Sequence, residues 1–506
     1  MRNSSVLLIA LMLSACVRVN DQEASIANEL EQSLFEYIIA PWYPRCLDTV
    51  YGGYIADFEH DWEVSESSQE KSLVNQTRHL WTTAFLYEHY PEEVSHQYNN
   101  PSDSKKADPK QESSQNDERS GLKEADPEQG DFAVKQSFLD YAEHGYAFVR
   151  NQMWDEEFGG FYHVVRRDGS VDSSTLNSKT IYGQAFAVHG LAKYYAVSGD
   201  QSALDLAIEG FRWMDRYPHE KQYGGYFEIL DRSGKPTPPV TPSPRPPVPQ
   251  SPLTGLKEFN SSLHVMEALT ELYHVWPDSL LRERLEEMYL LFRDTFIHPD
   301  GYLRLYFYPD WTLVPDEEMR QRGGGDAWHT QHITFGHDVE TAFLLLEAGH
   351  ALGIANDPKA SGLAKQLVDH ALENGWDEEN GGFWYIGYKQ PDGSTTIHDN
   401  KKAFWVESEG LNALALMHTL YPEDPHDYFS KFTQLWDYID TWLVDKDHGG
   451  WYSNGPDTAP ESKTARKSNN WKTTYHDVRG MVRSIEMLNK FQSCQIRPYK
   501  ISQFGK

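Results

Sequence analysis

The chain is 506 residues long and carries 46 basic against 76 acidic side chains, a formal net charge of -30. So large a negative excess sets nucleic acid aside as a partner, because neutralising phosphates needs a basic face. It speaks to solubility rather than to a particular activity. Aromatic content is high, with 15 Trp and 29 Tyr. Flat apolar rings of that kind pack cores, and they also stack on the C–H faces of sugars.

The chain opens Met1-Arg2, continues through an apolar run over 6–13, and reaches Leu13-Ser14-Ala15-Cys16. One basic residue, a short apolar stretch and small residues before a cysteine describe an export signal. The run is too short to span a bilayer, and no other stretch is apolar enough to do so. Leu-Ser-Ala-Cys resembles a bacterial lipobox, which implies a lipoprotein signal peptide over 1–15 and acylation of the Cys16 thiol. Residues 16–30 then form a tether, and the protein sits in the cell envelope, facing the periplasm or the exterior. An ordinary secretory signal with an incidental cysteine has the same composition. Cys46 and Cys494 remain. A bridge between them suits an exported chain, while separate buried thiols suit a domain this large.

A repeat organises the region after the signal. Gly-Gly-aromatic recurs as Gly52-Gly53-Tyr54, Gly159-Gly160-Phe161, Gly224-Gly225-Tyr226, Gly381-Gly382-Phe383 and Gly449-Gly450-Trp451, with a weaker copy at Asp300-Gly301-Tyr302. Two stretches interrupt it. Residues 98–131 are too polar to bury a core and are expected to be disordered; residues 236–252 are dense in proline and are expected to form an extended loop. Setting these aside leaves six units of roughly 65–80 residues.

Helical periodicity runs over 138–153, 181–197, 263–276, 280–296, 339–352, 363–372, 405–420 and 478–488. Two helices in each of six units is the period of an (α/α)6 barrel, an all-α fold in which stacking round a ring buries the face no single pair can bury. The glycine turns are expected to be short β-hairpins. An open solenoid is the competing architecture. One catalytic domain over 31–492 follows, with a tail over 493–506.

Polar residues gather at the starts of six helices. Asn75-Gln76-Thr77-Arg78 leads into Trp81, and Thr180-Ile181-Tyr182-Gly183-Gln184 opens the next. In Asn260-Ser261-Ser262-Leu263-His264 the stripe Asn260, His264, Glu267 and Glu271 faces away from Leu263 and Met266. In Thr334-Phe335-Gly336-His337-Asp338-Val339-Glu340, Thr334 reads as the N-cap, with His337 and Glu340 three apart on one face. The helix dipole there disfavours imidazolium and Glu340 favours it, a balance suited to an acid/base histidine. Phe404-Trp405-Val406-Glu407-Ser408-Glu409 and Trp471-Lys472-Thr473-Thr474-Tyr475-His476-Asp477-Val478-Arg479 complete the set, the last capped by Thr473 or Thr474. In a barrel these starts meet at one rim. Ordinary caps and ion pairs are the plainer reading of each motif alone. No His-x-x-x-His or Cys-x-x-Cys pair points to zinc, and no glycine pattern points to a nucleotide.

At Gly336-His337-Asp338-Val339-Glu340, at Trp471-Lys472-x-x-Tyr475-His476-x-x-Arg479 and at Asn260-x-x-Leu263-His264-x-x-Glu267 the chain resembles the N-acylglucosamine 2-epimerase family, and within it the cellobiose 2-epimerase branch. The resemblance implies an (α/α)6 barrel without cofactor or metal. It also implies C2 inversion of a free reducing sugar, a disaccharide such as cellobiose or mannobiose, through a cis-enediolate. By that resemblance His337 and His476 are the acid/base pair, Arg78 stabilises the charged oxygen, and Glu340 pairs with the first histidine. Tyr182, Asn260, His264, Glu267, Trp405, Glu409, Trp471 and Arg479 then bind substrate. Phe343 and Phe404 depart from the branch, which has Trp at both places. An aldose–ketose isomerase shares the enediolate, and a glycoside hydrolase would use Glu340 and Glu409.

Overall fold

The computed structural model describes residues 21–67, 69–90, 127–171, 178–237, 251–324 and 331–490. The expected signal peptide with Cys16, most of the polar insertion, most of the proline-rich loop, Cys494 and the C-terminal tail lie outside them.

Twelve helices carry the architecture: α1 Asp21–Ser33, α2 Leu73–His89, α3 Pro127–Phe148, α4 Ile181–Ser198, α5 Gln201–Arg216, α6 Phe259–Val275, α7 Ser279–Leu291, α8 Phe335–Ala351, α9 Pro358–Gly375, α10 Phe404–Leu420, α11 Tyr428–Tyr438 and α12 Tyr475–Lys490. The even-numbered helices form the inner ring. Each packs on the next, and α12 packs back on α2, which closes the barrel and excludes the open solenoid. The inner helices are buried nearly all round; every residue of α2 from Leu73 to Leu86 is buried, polar residues included, as expected of a helix covered on all sides. The odd-numbered helices form the outer layer. Each lies chiefly on one inner partner, α3 on α2, α5 on α4, α7 on α6, α9 on α8 and α11 on α10.

The sixth outer position is filled by α1, which packs on α12. Residues 16–30 are therefore not a tether throughout. From Asp21 the chain is helical, and Ile26, Ala27 and Leu30 are buried. A stripe of three apolar residues on a short helix gives too little periodicity to read without its partner. Residues 127–131, assigned to the disordered insertion, begin α3.

All six glycine turns form hairpins, closed by the bridges Leu47↔Tyr54, Trp154↔Phe161, His219↔Tyr226, Ile297↔Leu303, Trp376↔Phe383 and Val444↔Trp451. Short antiparallel ladders link neighbouring units, among them Lys71–Ser72 with Val164–Val165 and Ser178–Thr180 with Ile229–Asp231. Both glycines of a turn have positive φ, as at Gly159 and Gly160, and a Cβ on Gly160 would meet Trp213 at 2.8 Å. Only glycine fits there.

A lysine two residues before an inner helix locks the turn. Lys71 donates to Asp48 at 3.0 Å and to the Gly52 carbonyl, Lys179 to Asp155 at 3.0 Å and to the Gly159 carbonyl, and Lys402 to Asp377 at 2.6 Å and to the Gly381 carbonyl. The fourth residue of several inner helices then holds the backbone that follows the turn. Gln76 accepts from Tyr54 N–H at 2.7 Å, Gln184 from Phe161 N–H at 2.8 Å, Asp338 from Leu303 N–H at 3.1 Å and Glu407 from Phe383 N–H at 2.9 Å. These polar groups at the helix starts are therefore structural and do not serve the cavity. The starts themselves meet at one rim.

Candidate active site

The inner helices open on a cavity of about 340 Å³. Arg78, Tyr182, Asn260, His264, His337, Glu340, Trp405, Trp471 and His476, each named from the sequence, line it. Glu267, Glu409 and Arg479 do not. They lie behind the lining, each bonded to a residue of it: Glu267 to His264, Glu409 to His476 and Arg479 to Glu340. Tyr385, Phe404, Ser453, Asn469 and Lys472 line the cavity without having been named as site residues. Phe404 and Lys472 sit inside motifs the sequence exposes. Tyr385, Ser453 and Asn469 come from loops, where no periodicity marks them.

Thr334 precedes α8 with extended backbone, yet its hydroxyl caps nothing. His337 follows within the first turn. Its ring packs edge-on against Phe259 at 4.8 Å and against Trp405 at 4.7 Å, and Nδ1 is buried without a hydrogen-bond partner. Burial, with His264 and Arg78 nearby, pushes its pKa down to about 3, so at neutral pH it is a free imidazole base. The expected partner Glu340 is engaged elsewhere: its carboxylate accepts from Arg479, across the barrel on α12. Helical spacing brings His337 and Glu340 to one face, but the guanidinium competes better for the carboxylate than a desolvated neutral imidazole does.

His476, in the first turn of α12, packs on the same indole, its ring centre 5.7 Å from Trp405. The two imidazoles, 139 residues apart in sequence, are thus separated by no more than the sum of their two contacts with one tryptophan. Nδ1 of His476 shares a 2.6 Å hydrogen bond with Glu409, which fixes the ring and leaves Nε2 outside that bond. Burial and the positive Arg78 and Arg479 hold His476 well below the ordinary histidine range, while burial and the charge of Glu340 raise Glu409.

Behind the lining Arg479 gathers three carboxylates. It donates to Glu409 at 2.6 Å and also to Glu267 and Glu340, and to the Tyr475 hydroxyl at 2.6 Å. Glu340, Glu409 and His476 lie close enough to hold a metal ion, but the guanidinium donates to both carboxylates and supplies that positive charge itself. Glu267, held ionised by Arg479, accepts from His264 Nδ1 at 2.8 Å. That bond fixes the orientation of the His264 ring.

Arg78 is buried and has, among the described residues, no carboxylate within ion-pair reach. It donates to the Trp471 carbonyl at 2.8 Å and to the Tyr182 hydroxyl at 2.9 Å, and lies over the Phe186 ring at 4.5 Å. A fixed cation with only neutral partners is suited to an anion that forms during reaction. Trp471, 59% exposed, stands at the mouth against Tyr182. Of the two departures from the expected pattern, Phe404 lines the cavity, whereas Phe343 is buried under Arg479.

The family model of N-acylglucosamine 2-epimerase (GlcNAc 2-epimerase) matches residues 130–237 and 247–479, more than half of the chain. A cellobiose 2-epimerase of Dictyoglomus turgidum is 26% identical over 369 residues, covering 70% of this chain and 82% of that protein. Among solved structures, the cellobiose 2-epimerase of Bacillus thermoamylovorans superposes with a TM-score of 0.70 at 22% identity, covering 92% of this chain and 99% of its own. A D-mannose isomerase superposes at 0.68 with 19% identity, covering 91% and 97%.

Proposed function

The chain belongs to the N-acylglucosamine 2-epimerase family and is a carbohydrate epimerase or isomerase, and from that premise we propose that it inverts C2 at the reducing end of a free saccharide. The sugar ring opens in the cavity. One histidine removes the C2 proton, and the electron pair moves into a C1–C2 double bond as negative charge develops on oxygen. The other histidine returns a proton to the opposite face. The observation that carries this reading is the pair His337 and His476, both lining one cavity and both against the Trp405 indole, uncharged at neutral pH, with Arg78 facing only neutral partners there. Lysine or carboxylate bases are not required.

The saccharide is proposed to be a β-linked disaccharide such as cellobiose or mannobiose. Likeness to cellobiose 2-epimerases supports this, as does the exposed Trp471 at the mouth, a platform for a second sugar ring. Aldose–ketose isomerisation is the second reading, because protonating C1 of the same enediolate gives the ketose. Hydrolysis is disfavoured. Its carboxylate pair, Glu340 and Glu409, shares one guanidinium behind the site, and Glu409 does not reach the cavity.

Incubation of cellobiose with the protein in heavy water, followed by proton NMR, tests the proposal. C2-deuterated epimer is the expected product. Ketose would favour the isomerase, and free monosaccharide would overturn the reading. We further propose that the protein is exported and held in the envelope by a lipid on Cys16, on the strength of Leu13-Ser14-Ala15-Cys16 alone.

A further inference from the structure

Each outer helix leads through a glycine turn into the next inner helix, so the turns and the inner-helix starts share the rim where the cavity opens. The far end of the barrel holds the connections from inner to outer helices, 199–200, 276–278, 352–357 and 421–427. Helix α1 is an outer helix, so its N-terminus lies at that far end. Its first turn agrees: Glu23 meets His418, in the last turn of α10, at 3.3 Å. Ile26, Ala27 and Leu30, each at most 5% exposed, pack the helix on α12, so α1 is part of the barrel wall.

Cys16 precedes Asp21 by five residues. Five residues span at most about 18 Å when fully extended. An inner helix of 17 residues, such as α10, is about 25 Å long, and the glycine turns stand beyond its start. A lipid on Cys16 therefore cannot reach a membrane that lies against the cavity mouth. The flank at α1 and α11 is also unsuited to a lipid surface. Its groove is lined by Glu29, Glu36, Asp437 and Asp440, with Lys446 the one cation among the lining, and anionic headgroups repel such a face. At the far end the carboxylates of Asp200, Asp278, Asp357 and Asp427 serve as caps, each accepting from N–H groups at the start of an outer helix. There the helix dipole offsets their charge.

We propose that the barrel end opposite the cavity faces the headgroup layer of a membrane, held there by the lipid on Cys16, so that the mouth with Trp471 opens away from the lipid. The inference rests on the lipid-anchor reading of Cys16 and is independent of the epimerase chemistry. Among the described residues no helix is long and apolar enough to cross a membrane, so the tether sets the approach. The mouth then takes free saccharides from the aqueous phase.

The test uses full-length acylated protein in phosphatidylethanolamine/phosphatidylglycerol vesicles. Cys46 is buried, and Cys494→Ser removes the other free thiol. A fluorophore is placed on Ile354→Cys at the far end or on Tyr223→Cys in the third glycine turn, both exposed positions; Leu420→Cys is a second exposed site at the far end. Energy transfer to a headgroup-labelled lipid reads the height of each label. The labels at 354 and 420 are expected about 25 Å nearer the headgroups than the label at 223. A Gly/Ser linker of about 30 residues between Asn20 and Asp21, which reaches about 30 Å on average, is expected to shrink that difference. If the wild-type chain and Cys16→Ser bind vesicles equally, the anchor reading fails and the inference falls with it. If only the acylated chain binds, yet the label at 223 lies as near as those at 354 and 420 or the linker leaves the difference unchanged, the orientation alone is overturned.

Discussion

Replacing Arg479 with methionine removes the one cation behind the site and keeps most of its volume. Glu267, Glu340 and Glu409 would remain, with side chains no more than 6% exposed. Breaking one buried ion pair by deleting a partner costs about 3–5 kcal/mol. Here three carboxylates lose the same partner, but some of them escape by taking up protons, so the net loss is expected near the top of that range, about 5 kcal/mol. Against a total stability of about 5–15 kcal/mol this is large. Melting temperature reports it poorly, since a chain this long loses only about 1 °C per kcal/mol at the specific unfolding entropy of globular proteins. Urea denaturation is the assay of choice.

The sign with pH is fixed. Without Arg479 the Glu267 carboxyl, which the guanidinium helps to hold below its ordinary range, rises in the folded state, and Glu409 loses the cation that opposes its own upward shift. The penalty is then full at pH 8, where the folded carboxylates must be charged, and shrinks toward pH 5, where they are neutral. A loss below about 1 kcal/mol at pH 8, or one that does not shrink in acid, would refute the claim that Arg479 holds the three carboxylates together.

Three further outcomes follow from the structure. Lys402→Met, which strands Asp377 in a turn whose lysine is fully buried, should lower unfolding free energy by about 3 kcal/mol, and Asp377→Asn in the same chain should restore part of it. His79 and His337, both pushed down to about 3 by burial, stay neutral in the folded state while the unfolded chain takes up protons below about pH 6.5. Stability should therefore fall from pH 7 to pH 5 by about 2 kcal/mol for each, and His79→Phe should flatten that slope in urea titrations. Cys16→Ser should move the protein from the membrane to the soluble fraction on centrifugation; equal partitioning of both forms would remove the lipid anchor.

The barrel is legible because its signals are local. Six glycine turns and the inner helices stand out in one dimension, and the inner helices begin within a few residues of the expected positions, as at Ile181 and Phe404. The outer layer is harder to read. Helix α1 has its partner α12 at the other end of the chain, and neither α5 nor α11 was among the expected helices. The lysine latch is present in sequence as Lys71, Lys179 and Lys402 two residues before each helix, but its meaning appears only with the carbonyl it binds.

The site divides in the same way. His337, His476 and Arg78 were legible because each lies in the opening turns of an inner helix. Which carboxylate serves which cation was not, because Glu340 meets Arg479 across 139 residues. Helical spacing predicts neighbours on one helix and says nothing about a stronger partner arriving from another.

The account stands or falls on two imidazoles working on opposite faces of one carbon. His337→Asn and His476→Asn, each incubated in heavy water with cellobiose and separately with its C2 epimer, test this directly. Each variant should fail to interconvert the epimers, yet exchange the C2 proton of one epimer only, and the two variants should choose different epimers. Interconversion at the wild-type rate by either variant, or the same epimer exchanged by both, would contradict it.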